Sequence, residues 1–129
     1  MPPRDEFFVR FRPEPPEIEC GDQPMFRGRV RARIARQARA TGELTVMATT
    51  FDPGASTAWH THDSDQTLVV TAGTGALEDE QGVHPLHAGD VVTVPRGHWH
   101  RHLAAATDSM THLSVTAHGQ HHLIPDPQS

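Results

Sequence analysis

From Phe26 onward the chain alternates apolar and polar residues with a period of two, the pattern of strands that bury one face. Arg27, Arg29, Arg31 and Arg33 interleave with Gly28, Val30, Ala32 and Ile34, and similar runs follow at short intervals. The pattern predicts strands over 26–34, 43–51, 57–62, 66–72, 76–80, 83–87, 90–94, 99–104 and 110–118. Between them stand the turn-forming stretches FDPGA, TAGTG, EQG, HAGD and PRG. Only 35–41, ARQARAT, has the composition of a helical turn. Many short strands punctuated by Gly and Pro imply an all-β sandwich or barrel, and no internal repeat is visible. A chain of 129 residues fits one domain. Residues 1–24, with Pro2, Pro3, Pro13, Pro15, Pro16 and Pro24, read as an arm lying on the domain or on a neighbouring subunit; 25–118 read as the barrel and 119–129 as a tail.

Charge narrows the partners. The net charge is −5 with histidine neutral, which gives no reason to expect nucleic acid. The arginines between Arg27 and Arg39 are a local exception, but their parity places them on the solvated face of a strand, which favours a structural or subunit-contact role over an anion site. Cys20 is the only cysteine and cannot form an intramolecular disulfide. No apolar run approaches the roughly 20 residues of a membrane span, and the N-terminus has charges and prolines where a signal peptide needs an apolar core. A cytoplasmic protein is expected. The apolar FFVRF stretch of the arm calls for a cover, so a homodimer or higher homo-oligomer is expected as well.

Composition departs from the ordinary in its eleven histidines. Residues two apart on a strand point the same way, so His60 and His62 share one face, and His100 and His102 share another. Two such strands adjacent in a small barrel would bring the imidazoles together inside it. Several buried imidazoles need partners for their nitrogens, and a divalent metal supplies one directly. The plainer reading makes them separate hydrogen-bonded histidines.

Gly54, His60, His62, Gln66 and Gly73, with five, one, three and six residues between successive members, resemble the first motif of the cupin superfamily. Gly89, Pro95, Gly97 and His100, with five, one and two residues between, resemble the second. The resemblance implies a double-stranded β-helix, the cupin or jelly-roll barrel, with a metal held by His60, His62, Gln66 and His100. Two positions depart from the family: its usual glutamate is Gln66, and the asparagine that often closes its second motif is Ala104. FRGRVR (26–31), FDPGASTAWHTHDSDQTLVVTAGTG (51–75), GDVVTVP (89–95) and SMTHLSV (109–115) are similar to the small bacterial cupins related to manganese-dependent (R)-selective hydroxynitrile lyases. That register puts His100 and His102, rather than His98 and His100, on the family's two histidines of the second motif.

Gln66 would bind a metal through a neutral carbonyl oxygen, leaving the ion nearly its full +2 charge and favouring Lewis-acid chemistry over redox chemistry. The expected function is a metal-dependent lyase of hydroxynitrile-lyase type acting on a small molecule, with His102 or His112 as base and Thr57 near the substrate. An oxygenase cleaving an enol or diol, a cyclase or isomerase of secondary metabolism, and a non-catalytic ligand-binding cupin are the alternatives. Mn²⁺ is favoured, one ion per chain, although three nitrogens and an oxygen also suit Fe²⁺, Zn²⁺, Ni²⁺, Co²⁺ or Cu²⁺. Met47, Thr49, Ser114 and Thr116 are expected to line the rest of the cavity. His84, His87, His118, His121 and His122 read as surface residues, and Asp63, Ser64 and Asp65 as a tight turn.

Overall fold

The computed structural model describes residues 15–126; the first fourteen residues and the last three, with most of the arm, lie outside the described part. Twelve strands and no helix make up the described chain. They are β1 (Ile18–Glu19), β2 (Phe26–Arg27), β3 (Val30–Arg36), β4 (Leu44–Phe51), β5 (Ser56–Thr57), β6 (His60–His62), β7 (Gln66–Asp79), β8 (Gly82–His87), β9 (Val91–Val94), β10 (Arg101–Ala104), β11 (Met110–Ala117) and β12 (His121–Leu123). All pairings are antiparallel, in the order β1-β3-β4-β11-β7-β10-β5-β2, with β8 and β9 also on β7 and a separate β12-β6 pair. The sheet curls on itself, which is the all-β barrel expected.

Two glycines make that curl possible. TAGTG reads as a turn, yet the chain passes through it as one long strand, β7. Gly73 has φ +76°, and the register with β11 shifts between Thr111 and His112, so the segment is a bulge that bends the strand. A Cβ on Gly73 would collide with the Ser109 carbonyl, and one on Gly75 with the Leu103 carbonyl. The first half of β7 therefore pairs with β11 and β9, the second with β10 and β8. One strand thus belongs to both walls of the barrel.

The expected strand 26–34 breaks at Gly28 (φ +81°), where the chain leaves β5 and joins β4. The expected strand 57–62 also divides, into β5 and β6. No helical turn forms over 35–41. Strand β3 continues to Arg36, after which the Ala38 and Arg39 amides are taken by the Thr45 hydroxyl and the Glu43 carboxylate rather than by helical carbonyls. The tail contributes β12, whose His121, His122 and Leu123 lie opposite His62, Thr61 and His60.

Arg29 and the outward arginines of β3 form a ladder of ion pairs and hydrogen bonds. Arg29 reaches Glu19 (3.1 Å) and Asp52 (3.6 Å), Arg31 reaches Asp52 (2.8 Å), and Arg33 donates to the Pro15 carbonyl (2.6 Å). Such exposed pairs add little each, but together they tie the short edge strand β1 and its approach to the barrel. Inside, Val30, Phe51, Leu68 and Met110 are wholly buried in one apolar cluster, with Phe51 against the His112 ring at 5.3 Å. Each side chain of that kind contributes about 1.5–3 kcal/mol by leaving water.

Candidate metal centre and its cavity

Strand alternation turns His60 and His62 toward one another, with ring centroids 4.9 Å apart. The third histidine arrives across the barrel. His60 and His100 exchange both backbone hydrogen bonds at 3.0 Å, which brings their rings to 4.4 Å. One nitrogen from each of His60, His62 and His100 lies within 4.8 Å of the others, a spacing that can hold a metal ion.

Backbone contacts determine which nitrogens face inward. His60 Nδ1 donates to the Ala58 carbonyl at 2.8 Å and His100 Nδ1 to the His98 carbonyl at 2.9 Å, so both rings keep an unprotonated Nε2. Burial, followed by the neighbouring His100 charge, lowers the His60 pKa to about 3. Burial, His100 and His121 lower that of His62 to about 4, and burial lowers that of His100. Three neutral imidazoles with inward lone pairs are the state a cation requires. His62 Nε2 and Gln66 Oε1 are buried and make no well-formed hydrogen bond, although Gln66 lies close enough to His62 to oppose its pKa shift. A buried amide oxygen and imidazole nitrogen without partners fit a metal's donor set.

The His98 side chain lies elsewhere. Its Nε2 meets Asp79 Oδ2 at 2.9 Å, while His84 takes Oδ1 at the same distance. Burial pushes the Asp79 carboxyl up, but hydrogen bonds from His98, His84 and the Gln81 amide hold it down at about 2. His98 therefore serves His100 through its carbonyl, with Asp79 fixing its ring.

Three rings run in series behind the triad. His100 Nε2 lies 3.1 Å from His102 Nε2, and His102 Nδ1 lies 3.0 Å from His112 Nε2. His102 and His112 are both buried. Burial and then the other imidazoles keep the pKa of His102 well below the ordinary value, and burial lowers that of His112 to about 4. The Thr57 hydroxyl accepts the His102 backbone N–H at 2.9 Å, so this threonine positions the strand that carries His102 while it also borders the cavity.

The cavity itself measures about 370 Å³. His60, His62, Gln66, His102 and His112 border it, as do the expected Met47, Thr49, Ser114 and Thr116. Its other walls are Ile18, Cys20, Met25, Phe26, Ile34 and Phe51. Cys20 and the segment around β1 were unreadable as wall residues because strand periodicity says nothing about what a proline-rich segment covers. His121 was missed for a similar reason. Its position opposite His62 puts its ring 6.4 Å away and at the cavity's border, although the side chain is exposed. The alternation of His121 and Leu123 was the available signal. His84, His87, His118 and His122 are exposed, with His122 on Asp63 at 2.7 Å. His118 contributes its backbone N–H to the Glu43 carbonyl.

A small antiparallel barrel whose interior holds a histidine triad, two members on β6 and the third on the segment bridged to it, defines the class. The Cupin domain family matches residues 47–116, and the chain belongs to it. An (R)-mandelonitrile lyase of Granulicella tundricola is 46% identical over 96 residues, which span 74% of this chain and 73% of that protein. Among solved structures, a cupin-like protein of Thermotoga maritima superposes with a TM-score of 0.77 at 28% identity, covering 82% of this chain and 84% of that one. The polyketide cyclase RemF of Streptomyces resistomycificus superposes at 0.72 with 17% identity, covering 85% and 80%, and shows the shared fold.

Proposed function

We propose that this cupin is a metal-dependent lyase of hydroxynitrile-lyase type, cleaving a small neutral substrate at the bond beside its hydroxyl carbon. The observation that carries the reading is the neutral triad His60, His62 and His100 set next to the hydrogen-bonded pair His102 and His112. Similarity to the (R)-mandelonitrile lyase supports it. We assign one divalent ion, Mn²⁺ by preference, to His60, His62, His100 and the Gln66 carbonyl oxygen, where it would supply Lewis acidity.

The remaining steps belong to the chain's own groups. With a metal on His100 Nε2, the His102 ring would carry its proton on Nδ1, donated to His112 Nε2, and its Nε2, which faces the triad, would take the substrate's hydroxyl proton. The carbon–carbon bond then breaks, its electron pair leaves with cyanide, and the proton on His102 is returned to that cyanide. An aldehyde and hydrogen cyanide result, so atoms and charge balance. Thr57 holds the His102 strand in place. The low basicity of a buried imidazole makes return of the proton easy.

The test is cleavage of mandelonitrile to benzaldehyde under nitrogen, by protein stripped of metal and reloaded with Mn²⁺. Metal-dependent turnover without dioxygen supports the reading. Oxygen consumption with an enol or diol substrate, and no cleavage of mandelonitrile, would replace it with an oxygenase. We propose a cytoplasmic enzyme that is a homodimer or higher homo-oligomer, because the apolar Phe7, Phe8, Val9 and Phe11 call for a cover.

A further inference from the structure

Among the described residues the cavity walls contain no Asp, Glu, Lys or Arg. Apart from the ion assigned to the triad, these walls offer an acidic or phosphorylated group no counter-charge. One polar group nevertheless stands out. Thr49 Oγ1 is buried, its residue 2% exposed, and it has no hydrogen-bond partner. Other threonines of the barrel are paired: Thr50 with Thr111 at 2.9 Å, Thr67 with Thr93 at 3.0 Å, Thr45 with the Ala38 amide, and Thr57 with the His102 amide. Thr49 lies opposite His112 on one side and Ala32 on the other, and all three border the cavity. His112 Nδ1 likewise lacks a well-formed partner, its own backbone supplying only a weak contact.

We propose that Thr49 anchors a second polar group of the substrate, so that the cavity favours aryl molecules carrying an uncharged hydrogen-bond acceptor in addition to the polar group held at the triad. This rests on the lyase reading only in placing the first of those groups, an oxygen, at the triad. The Thr49 hydroxyl donates to the second group, a nitrile nitrogen or a carbonyl oxygen, and completes the hydrogen bonding that the protein alone leaves unmade. Met25, Phe26, Ile34, Met47 and Phe51 enclose the aryl body. Thr49 acts by binding and positioning, with no proton transferred to or from it.

Calorimetric titration of the Mn²⁺-loaded protein with two unreactive probes tests this without turnover. 2-Hydroxy-1-phenylethanone carries two neighbouring polar groups, and benzyl alcohol carries one. Thr49→Val keeps the shape and removes the hydroxyl. It should weaken the two-group probe about tenfold, which is about 1.4 kcal/mol, and leave benzyl alcohol within about twofold. Thr49→Ser should restore the two-group probe to within about threefold. Without ligand, Thr49→Val should melt at or above the wild type, because it removes an unpartnered buried hydroxyl; a purely structural threonine would give a lower melting point. Equal affinity of wild type and Thr49→Val for the two-group probe would mean that only water meets the hydroxyl, and would overturn the proposal. Parallel loss of both probes, or no binding of the two-group probe to the wild type, would overturn it too. If mandelonitrile is not cleaved while the two-group probe still depends on Thr49, the lyase reading fails and this assignment stands.

Discussion

His60 and His100 hold each other by two backbone hydrogen bonds of 3.0 Å, one in each direction, outside any longer ladder. An antiparallel pair of that kind fixes the relative height of the two side chains on the barrel's inner wall. The third member, His62, is then placed by strand alternation from His60. The triad thus depends on one bridge and one period-two step, both backbone features that side-chain substitutions can leave intact.

His60→Ala and His100→Ala should accordingly remain folded β proteins while losing stoichiometric metal. Metal content after gel filtration, with circular dichroism as the folding check, decides it. His98→Ala is the control: its ring binds Asp79 and its carbonyl survives the substitution, so the metal should stay. Loss of metal from His98→Ala alone, with both alanine variants of the triad still loaded, would reverse the ligand assignment.

Gln66→Glu should retain the ion, since a carboxylate is the usual cupin residue at this position, and should slow mandelonitrile cleavage. The added charge weakens polarisation of the substrate oxygen. A loss of one to two decades in kcat, about 1.4–2.8 kcal/mol in the barrier, is expected at unchanged metal occupancy.

His102→Ala should cost roughly 10² or more in kcat with metal retained, as befits loss of the proton acceptor. His112→Ala should cost less, about tenfold, because it removes only the group bonded to His102 Nδ1. Equal rates for both variants and the wild type in single-turnover cleavage would remove the histidine pair from the chemistry.

Metal-free protein should lose stability as pH falls through the histidine range. His60 and His112 titrate near 6.5 when unfolded and at about 3 and about 4 when folded, so the unfolded state binds more protons throughout that window. Stability is therefore full above about pH 6.5 and declines below it. At pH 5 each of the two costs about 2 kcal/mol, using about 1.36 kcal/mol per pH unit. Urea midpoints at pH 7.5, 6 and 5 should fall in that order, whereas a midpoint flat down to pH 5 would contradict the neutral, buried state of these rings.

Deleting residues 1–14 should turn a homodimer into a monomer while leaving the metal bound. Those residues hold Phe7, Phe8, Val9 and Phe11, whereas the triad and Gln66 all lie far later in the chain, from His60 onward. Light scattering reads the mass directly. A truncated chain that stays dimeric would assign the contact to the sheet faces instead.

Strand existence was legible because the inward residues of a barrel must alternate with outward ones. Leu44–Phe51, Val91–Val94 and Met110–Ala117 fall within a residue of where alternation puts them. Glycine was ambiguous for a physical reason. Gly28 and Gly73 both have positive φ, a state that serves turns and bulges alike, and only pairing partners separate the two uses. In TAGTG the partners were β11 and β10, which come from later in the chain, and β8, the return strand of a hairpin, and they keep the segment extended.

By itself the sequence determined that His60 and His62 share a face, that an amide follows them at Gln66, and that the arginines of 27–33 point away from the core. These are consequences of local backbone geometry, which needs no partner strand. Tertiary structure alone decided that His100 meets them, that His102 and His112 join in a hydrogen-bonded series, that His121 returns to His62, and that Thr49 is left without a partner. Each of these depends on which distant strands lie side by side, and that is set by the bend at Gly73 and by the collective burial of the core rather than by any residue's own preference.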